Sequence, residues 1–139
     1  MNAKKKVLLV DDDADFLEMT RSVLEAGGYR VACAIDPGEA WNMVLEHAPD
    51  LVITDLMMQT MSSGFSLSRK IKETPHCRSV PVIIMTSAGS RLGYDLAPRG
   101  LGDLKAMHAD AFLEKPMLPE DLLGQVADLL GGDGGDQTP

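Results

Sequence analysis

Several aliphatic runs in this chain end in a side chain that can do chemistry. Val7-Leu8-Leu9-Val10 runs into Asp11-Asp12-Asp13, and Leu51-Val52-Ile53-Thr54 runs into Asp55. Val80-Pro81-Val82-Ile83-Ile84-Met85 ends in Thr86-Ser87, and Ala111-Phe112-Leu113 ends in Glu114-Lys115-Pro116. If these ends meet, Asp11, Asp12 and Asp55 repel one another and raise one another's pKa. A hard divalent cation relieves that repulsion. Mg²⁺ accepts oxygen ligands, keeps several waters, and binds through one or two carboxylates plus phosphate. Lys115 adds a point positive charge and Thr86 a short hydroxyl donor. A metal, a carboxylate nucleophile, an ammonium and a hydroxyl together suit transfer of a phosphoryl group to the carboxylate.

The elements that must bring those ends together are legible. Continuous apolar runs want burial on both faces, as in the strands of a parallel sheet. Tyr29 to Ala34 is a further short strand, which makes five. Between the strands lie helical patterns. Phe16, Leu17, Val23 and Leu24 recur close to a 3.6 period, and Gly27-Gly28 stops that helix. Asp36 and Pro37 open the next as N-cap and first-turn residue. It carries Ala40, Trp41, Val44 and Leu45, and Ala48-Pro49-Asp50 turns the chain into the Asp55 strand. Phe65, Leu67 and Ile71 mark a third helix, residues 104 to 108 suggest a short one, and Glu120 to Leu130 forms the last. Strands alternating with helices imply right-handed crossovers and a parallel sheet covered on both faces. In such a sheet all strand C-termini lie on one edge, where ligands bind.

Composition narrows the field. A chain of 139 residues supports one full core and is short for two domains. The net charge of −8 argues against a nucleic-acid surface on the chain itself. Its one basic run, Lys4-Lys5-Lys6, reads as solvated charge flanking the sheet. No apolar stretch reaches membrane-spanning length, and Asp11-Asp12-Asp13 cuts short the apolar run that a signal peptide requires. Cys33 and Cys77 lack metal or redox spacing and read as thiols in a reducing compartment, which points to the cytoplasm. Residues 131 to 139 are Gly-rich, and the expectation is a flexible tail behind a single domain of residues 1 to 130.

Taken together, Asp11-Asp12, Asp55 with the following Gly64, Thr86-Ser87 and Lys115-Pro116 resemble the receiver domain of two-component response regulators over about residues 5 to 130. The resemblance implies a flavodoxin-like (βα)5 fold, a doubly wound parallel five-stranded sheet in the order 2-1-3-4-5. It implies that Asp55 accepts a phosphoryl group from a sensor histidine kinase or a histidine phosphotransfer protein. Asp11 and Asp12 would form the acidic pair, with Asp12 the direct Mg²⁺ ligand and the backbone carbonyl of Met57 a further one. Thr86 and Lys115 would bind phosphoryl oxygens, and Phe112 matches the aromatic position that switches with Thr86. The chain departs from the family pattern in its loops. Gln59 follows Met58 where proline is usual, residues 61 to 64 are one residue longer, and the excess between Thr86 and Lys115 falls in residues 90 to 102.

Blander and rival readings stand beside this one. Asp13 reads as a helix cap. Asp11, Asp13 and Asp15 have the spacing of a calcium loop, but Phe16 occupies the position that requires glycine. His47, His76 and His108 share no ligand spacing and read as surface residues, and the Met residues read mostly as core, with Met57, Met58 and Met61 forming an apolar lip to the site. A phosphoaspartate-type phosphatase needs a general acid two residues after the nucleophile, and Met57 stands there. Flavin phosphate would be repelled by Asp11-Asp12-Asp13. A pseudo-receiver scaffold that is never phosphorylated is the remaining alternative. The expected role is therefore a signalling module that assists its own phosphorylation and dephosphorylation, not an enzyme. The downstream partner and homodimer formation are left open, as is whether the chain is a stand-alone receiver or part of a longer protein. Residues 90 to 102, broken by Gly and Pro, are expected either to order on phosphorylation or to be a plain insertion.

Overall fold

A computed structural model describes residues 4–55, 63–87, 109–115 and 117–130, with residues 63–65, 86 and 87 described by their backbone alone. Met57, Met58, Met61, His108, the segment 90–102, the short helix expected at 104–108 and the tail 131–139 lie outside the described residues. Five strands form one parallel sheet in the order β2-β1-β3-β4-β5, as the resemblance implies. They are β1 (Lys6–Val10), β2 (Arg30–Ala34), β3 (Leu51–Asp55), β4 (Val82–Ser87) and β5 (Ala111–Lys115). Four helices accompany them among the described residues: α1 (Ala14–Ala26), α2 (Pro37–His47), α3 (Ser63–Glu73) and α4 (Pro119–Leu129).

Residues of alternating parity along the central strands enter two separate cores. Leu8, Val10, Val52, Val82 and Ile84 pack with Ala40 and Val44 of α2 and Leu67 and Ile71 of α3. Val7, Leu9, Leu51, Ile53, Ile83 and Met85 pack with Leu17 and Leu24 of α1 and Leu122 and Val126 of α4. All five residues of β3 are buried, which explains its unbroken apolar run.

Local signals set the helix starts. Asp13 caps α1, its Oδ1 accepting from the amides of Asp15 at 3.0 Å and Phe16 at 3.2 Å. Asp36 caps α2 by accepting from the Glu39 amide at 2.8 Å, with Pro37 in the first turn. Gly28, at φ 100°, takes the left-handed turn that follows α1. Several boundaries differ from the sequence reading, two of them by two residues at β4 and β5. β4 begins at Val82 instead of Val80, because Pro81 has no amide to give the ladder and the Val80 amide is used in a turn, donating to the Cys77 carbonyl. β5 runs two residues further than Leu113, so Lys115 is its last strand residue. Cys33 and Cys77 are free thiols.

Candidate functional site at the C-terminal edge of the sheet

Strand register explains how the polar groups converge. Asp11 continues the parity of Val7 and Leu9, Asp55 that of Leu51 and Ile53, and Lys115 that of Ala111 and Leu113. All three sequences alternate out of the core on the α1 side, so their last members meet beside the first turn of α1. The ammonium of Lys115 lies 2.6 Å from Asp11 Oδ2 and 3.4 Å from Asp55 Oδ1. Oxygens of Asp11, Asp12 and Asp55 all lie within 4.8 Å of one another.

The three carboxylates have different surroundings. Asp11 is buried, at 1% exposure. Its amide donates to the Ala34 carbonyl at 3.1 Å, its Oδ1 accepts from the Asp13 amide at 3.0 Å, and its Oδ2 takes the Lys115 ammonium. Asp12 is exposed and faces water. Asp55 is 8% exposed, and its carboxyl is pushed up to about 6. Burial is the main cause, with the negative charges of Asp11 and Asp12 adding to it; Lys115 works in the opposite direction, through both its charge and its hydrogen bond.

Among the described residues, three carboxylates against one ammonium leave two formal negative charges when Asp55 is ionised. The donor set is all carboxylate oxygen, one member opens to solvent, and the surplus equals the charge of one divalent ion. These residues therefore fit a hard cation such as Mg²⁺, which binds through few carboxylates and retains water.

The structure brings together Asp11, Asp12, Asp55 and Lys115. Thr86 lies at the same edge, paired in register with Glu114, one position before the Ser87–Lys115 pair. Phe112 pairs with Ile84, is half-buried, and packs against the core on the α2 and α3 side, away from the Asp11, Asp55 and Lys115 parity. The Met57 carbonyl falls outside the described residues. One contributor was not singled out in the sequence. The Lys115 ammonium sits 4.2 Å from the centre of the Phe16 ring, which thereby helps to hold it over the acids. Asp13 is the available signal: its cap fixes the first turn of α1, and Phe16 is three residues on.

Comparison with known proteins agrees with the fold and with the family resemblance. A family model described as the response regulator receiver domain matches residues 7–127. Response regulator Rre1 from a Synechocystis strain is 34% identical over 129 residues, spanning 89% of this chain and 51% of that protein. The phosphate regulon transcriptional regulatory protein PhoB of Pseudomonas aeruginosa is 30% identical, over 97% of this chain and 56% of its own length. The chain thus spans about half the length of the curated relatives it matches. Among solved structures, the chemotaxis response regulator CheY4 of Vibrio cholerae superposes with a TM-score of 0.75 at 26% identity, covering 91% of this chain and 99% of that one.

Proposed function

Because the chain belongs to the response regulator receiver domain family, we propose that it is a phosphoacceptor in a two-component or phosphorelay pathway, with Asp55 taking the phosphoryl group from a phosphohistidine. The observation that carries this reading is the single ammonium of Lys115 held between a fully buried acid and the Asp55 carboxylate at the open edge of the sheet.

In the proposed step a carboxylate oxygen of Asp55 forms a bond to phosphorus. The phosphorus–nitrogen bond breaks, and its electron pair goes to the imidazole of the donor. Asp55 must be ionised to attack, so a carboxyl near 6 is mostly competent at neutral pH. Lys115 then turns part of its attraction from Asp55 to the arriving phosphoryl oxygens, whose charge it is placed to offset. Thr86 is assigned the hydroxyl contact to those oxygens, and Phe112 the aromatic position that responds to it. Asp11, Asp12 and Asp55, with the Met57 carbonyl, are assigned to hold Mg²⁺, which when bound neutralises charge on the carboxylates and the phosphoryl group.

In this role the chain is a switch that assists its own phosphorylation and dephosphorylation, not an enzyme acting on free substrates. Its proposed partner upstream is a sensor histidine kinase or a histidine phosphotransfer protein, which places the exchange in the cytoplasm. Residues 1 to 130 are proposed as the receiver unit and 131 to 139 as a tail.

Incubation with Mg²⁺ and acetyl phosphate, followed by intact mass and peptide mapping, tests the reading. One phosphoryl group on Asp55, absent from Asp55→Asn, is expected. A stable adduct on the Asp55→Asn variant removes Asp55 from the role, and no adduct on the unaltered chain favours the scaffold alternative.

A further inference from the structure

The opposite edge of the sheet carries a cleft of its own. A cleft of about 160 Å³ opens between the start of β1, the start of β2 and the last turn of α2. Leu8, Ala32 and Met43 line it with apolar atoms, and Ala32 is the small residue among them. Lys6, Arg30 and His47 also line it. Lys6 reaches across to α2, its Nζ donating to the His47 carbonyl. Arg30 and His47 are exposed.

None of the described residues that line it is acidic, in a chain whose net charge is −8. Asp50 follows the lining residue Pro49, and its Oδ2 is occupied by the Lys6 amide at 2.8 Å. An apolar floor under two formal cations and an imidazole selects against both purely polar anions and cationic ligands. Size sets a second limit. A cavity of roughly 150 Å³ lined by aliphatic groups holds benzene. From floor, charge and size together, we propose that this cleft binds a small monocarboxylate with an apolar body of about six carbons. The body would lie on Leu8, Ala32 and Met43, and the carboxylate would face Arg30 and Lys6. The site lies at the far end of β1 from Asp11, and the proposal does not depend on the phosphoacceptor reading.

Amide chemical-shift titration of the whole chain tests it, with benzoate as the probe and benzyl alcohol and benzylamine as controls. Benzoate should give saturable shifts centred on Leu8, Ala32, Met43 and His47. Benzyl alcohol should bind more weakly, and benzylamine should give no saturable shift. Arg30→Gln, a surface change, should weaken benzoate about two- to fivefold, the range expected of one exposed charge pair. Ala32→Leu should fill the floor and abolish the shifts; Arg30→Gln and the ligand controls stand independently should that variant not fold. The proposal is overturned by the absence of saturation with benzoate, by shifts centred elsewhere, by benzylamine binding as tightly as benzoate, or by unchanged affinity in folded Ala32→Leu.

Discussion

The two edges of the sheet carry charge in opposite ways. At the N-terminal edge several charged side chains are matched to a nearby partner or a backbone end. The Asp110 Oδ2 accepts from the Lys72 ammonium at 2.7 Å and from the Val82 amide at 2.8 Å, while Lys72 also donates to the Val80 carbonyl at 2.8 Å. Asp50 accepts the Lys6 amide, and Lys6 caps the end of α2 through the His47 carbonyl. These groups tie the starts of strands to the ends of helices. At the C-terminal edge, among the described residues, three carboxylates share one ammonium. The matched edge serves stability, and the unmatched edge keeps a negative surplus, which in the proposed role would be offset by a cation, at a cost to the resting fold.

The difference can be broken most sharply at Lys115. Replacing it by Ala should lower the rate of Asp55 phosphorylation from acetyl phosphate by about 100-fold or more, the usual effect of deleting one preorganised donor to a transferring group. It should also move the Asp55 carboxyl above about 6, since Lys115 is what lowers it. Carboxyl-carbon NMR titration reads the shift, and an unmoved Asp55 would mean that Lys115 does not govern its charge.

Next in size is the cost of the unmatched edge itself. The Asp55 carboxyl in the folded chain lies near 6, above its ordinary value of 3.8. The fold therefore holds the Asp55 proton more tightly than the unfolded chain does. Its contribution is most favourable below about pH 4 and is lost as pH rises through 6. Asp55→Asn should be more stable than the unaltered chain by about 2 kcal/mol at pH 7.5 without Mg²⁺, with most of the gain gone at pH 4. Urea unfolding at the two pH values checks this; a gain that grows toward pH 4 would contradict it.

At the matched edge the effect should be structural only. Asp110→Ala leaves the Val82 amide and Lys72 without their shared acceptor and should cost about 1–2 kcal/mol, leaving the yield of phosphorylation on folded protein unchanged. A phosphorylation defect at full folding would join the two edges. The smallest stability effect is expected at Asp12. It is exposed, so Asp12→Ala should change stability by less than about 0.5 kcal/mol. The same change should weaken Mg²⁺ binding, measured by direct titration, and unchanged affinity would place the ion elsewhere.

Much of this was legible in the chain because its signals are local. An apolar run followed by an acid identifies both a strand and its C-terminal end, and Asp13 and Asp36 announce their helices within three residues. Even the convergence of Asp11, Asp55 and Lys115 follows from period-two counting once the strands are parallel. What could not be read depends on pairs far apart in sequence. Lys72 meets Asp110 across 38 positions, and Phe16 lies under Lys115 because α1 begins where β5 ends. The late start of β4 is a local effect of Pro81 that its apolar neighbours concealed. Lys6, which the sequence marks only as part of a solvated run, proves to be an anchor between β1 and α2.

The strand order carries a consequence for how the chain comes together during synthesis. β1 emerges first and becomes an interior strand, with β2 on one flank and β3 on the other. All pairings among these three close within residues 6 to 55, so this half can assemble while translation continues. β4 and then β5 add outward on one side, in the order in which they leave the ribosome. Asp11 and Asp55 both lie within this first half of the sheet, whereas their common counter-ion, Lys115, is carried by the last strand. Docking of β5 is in this sense a latch, since the closing element of the sheet is also the one that delivers the neutralising charge.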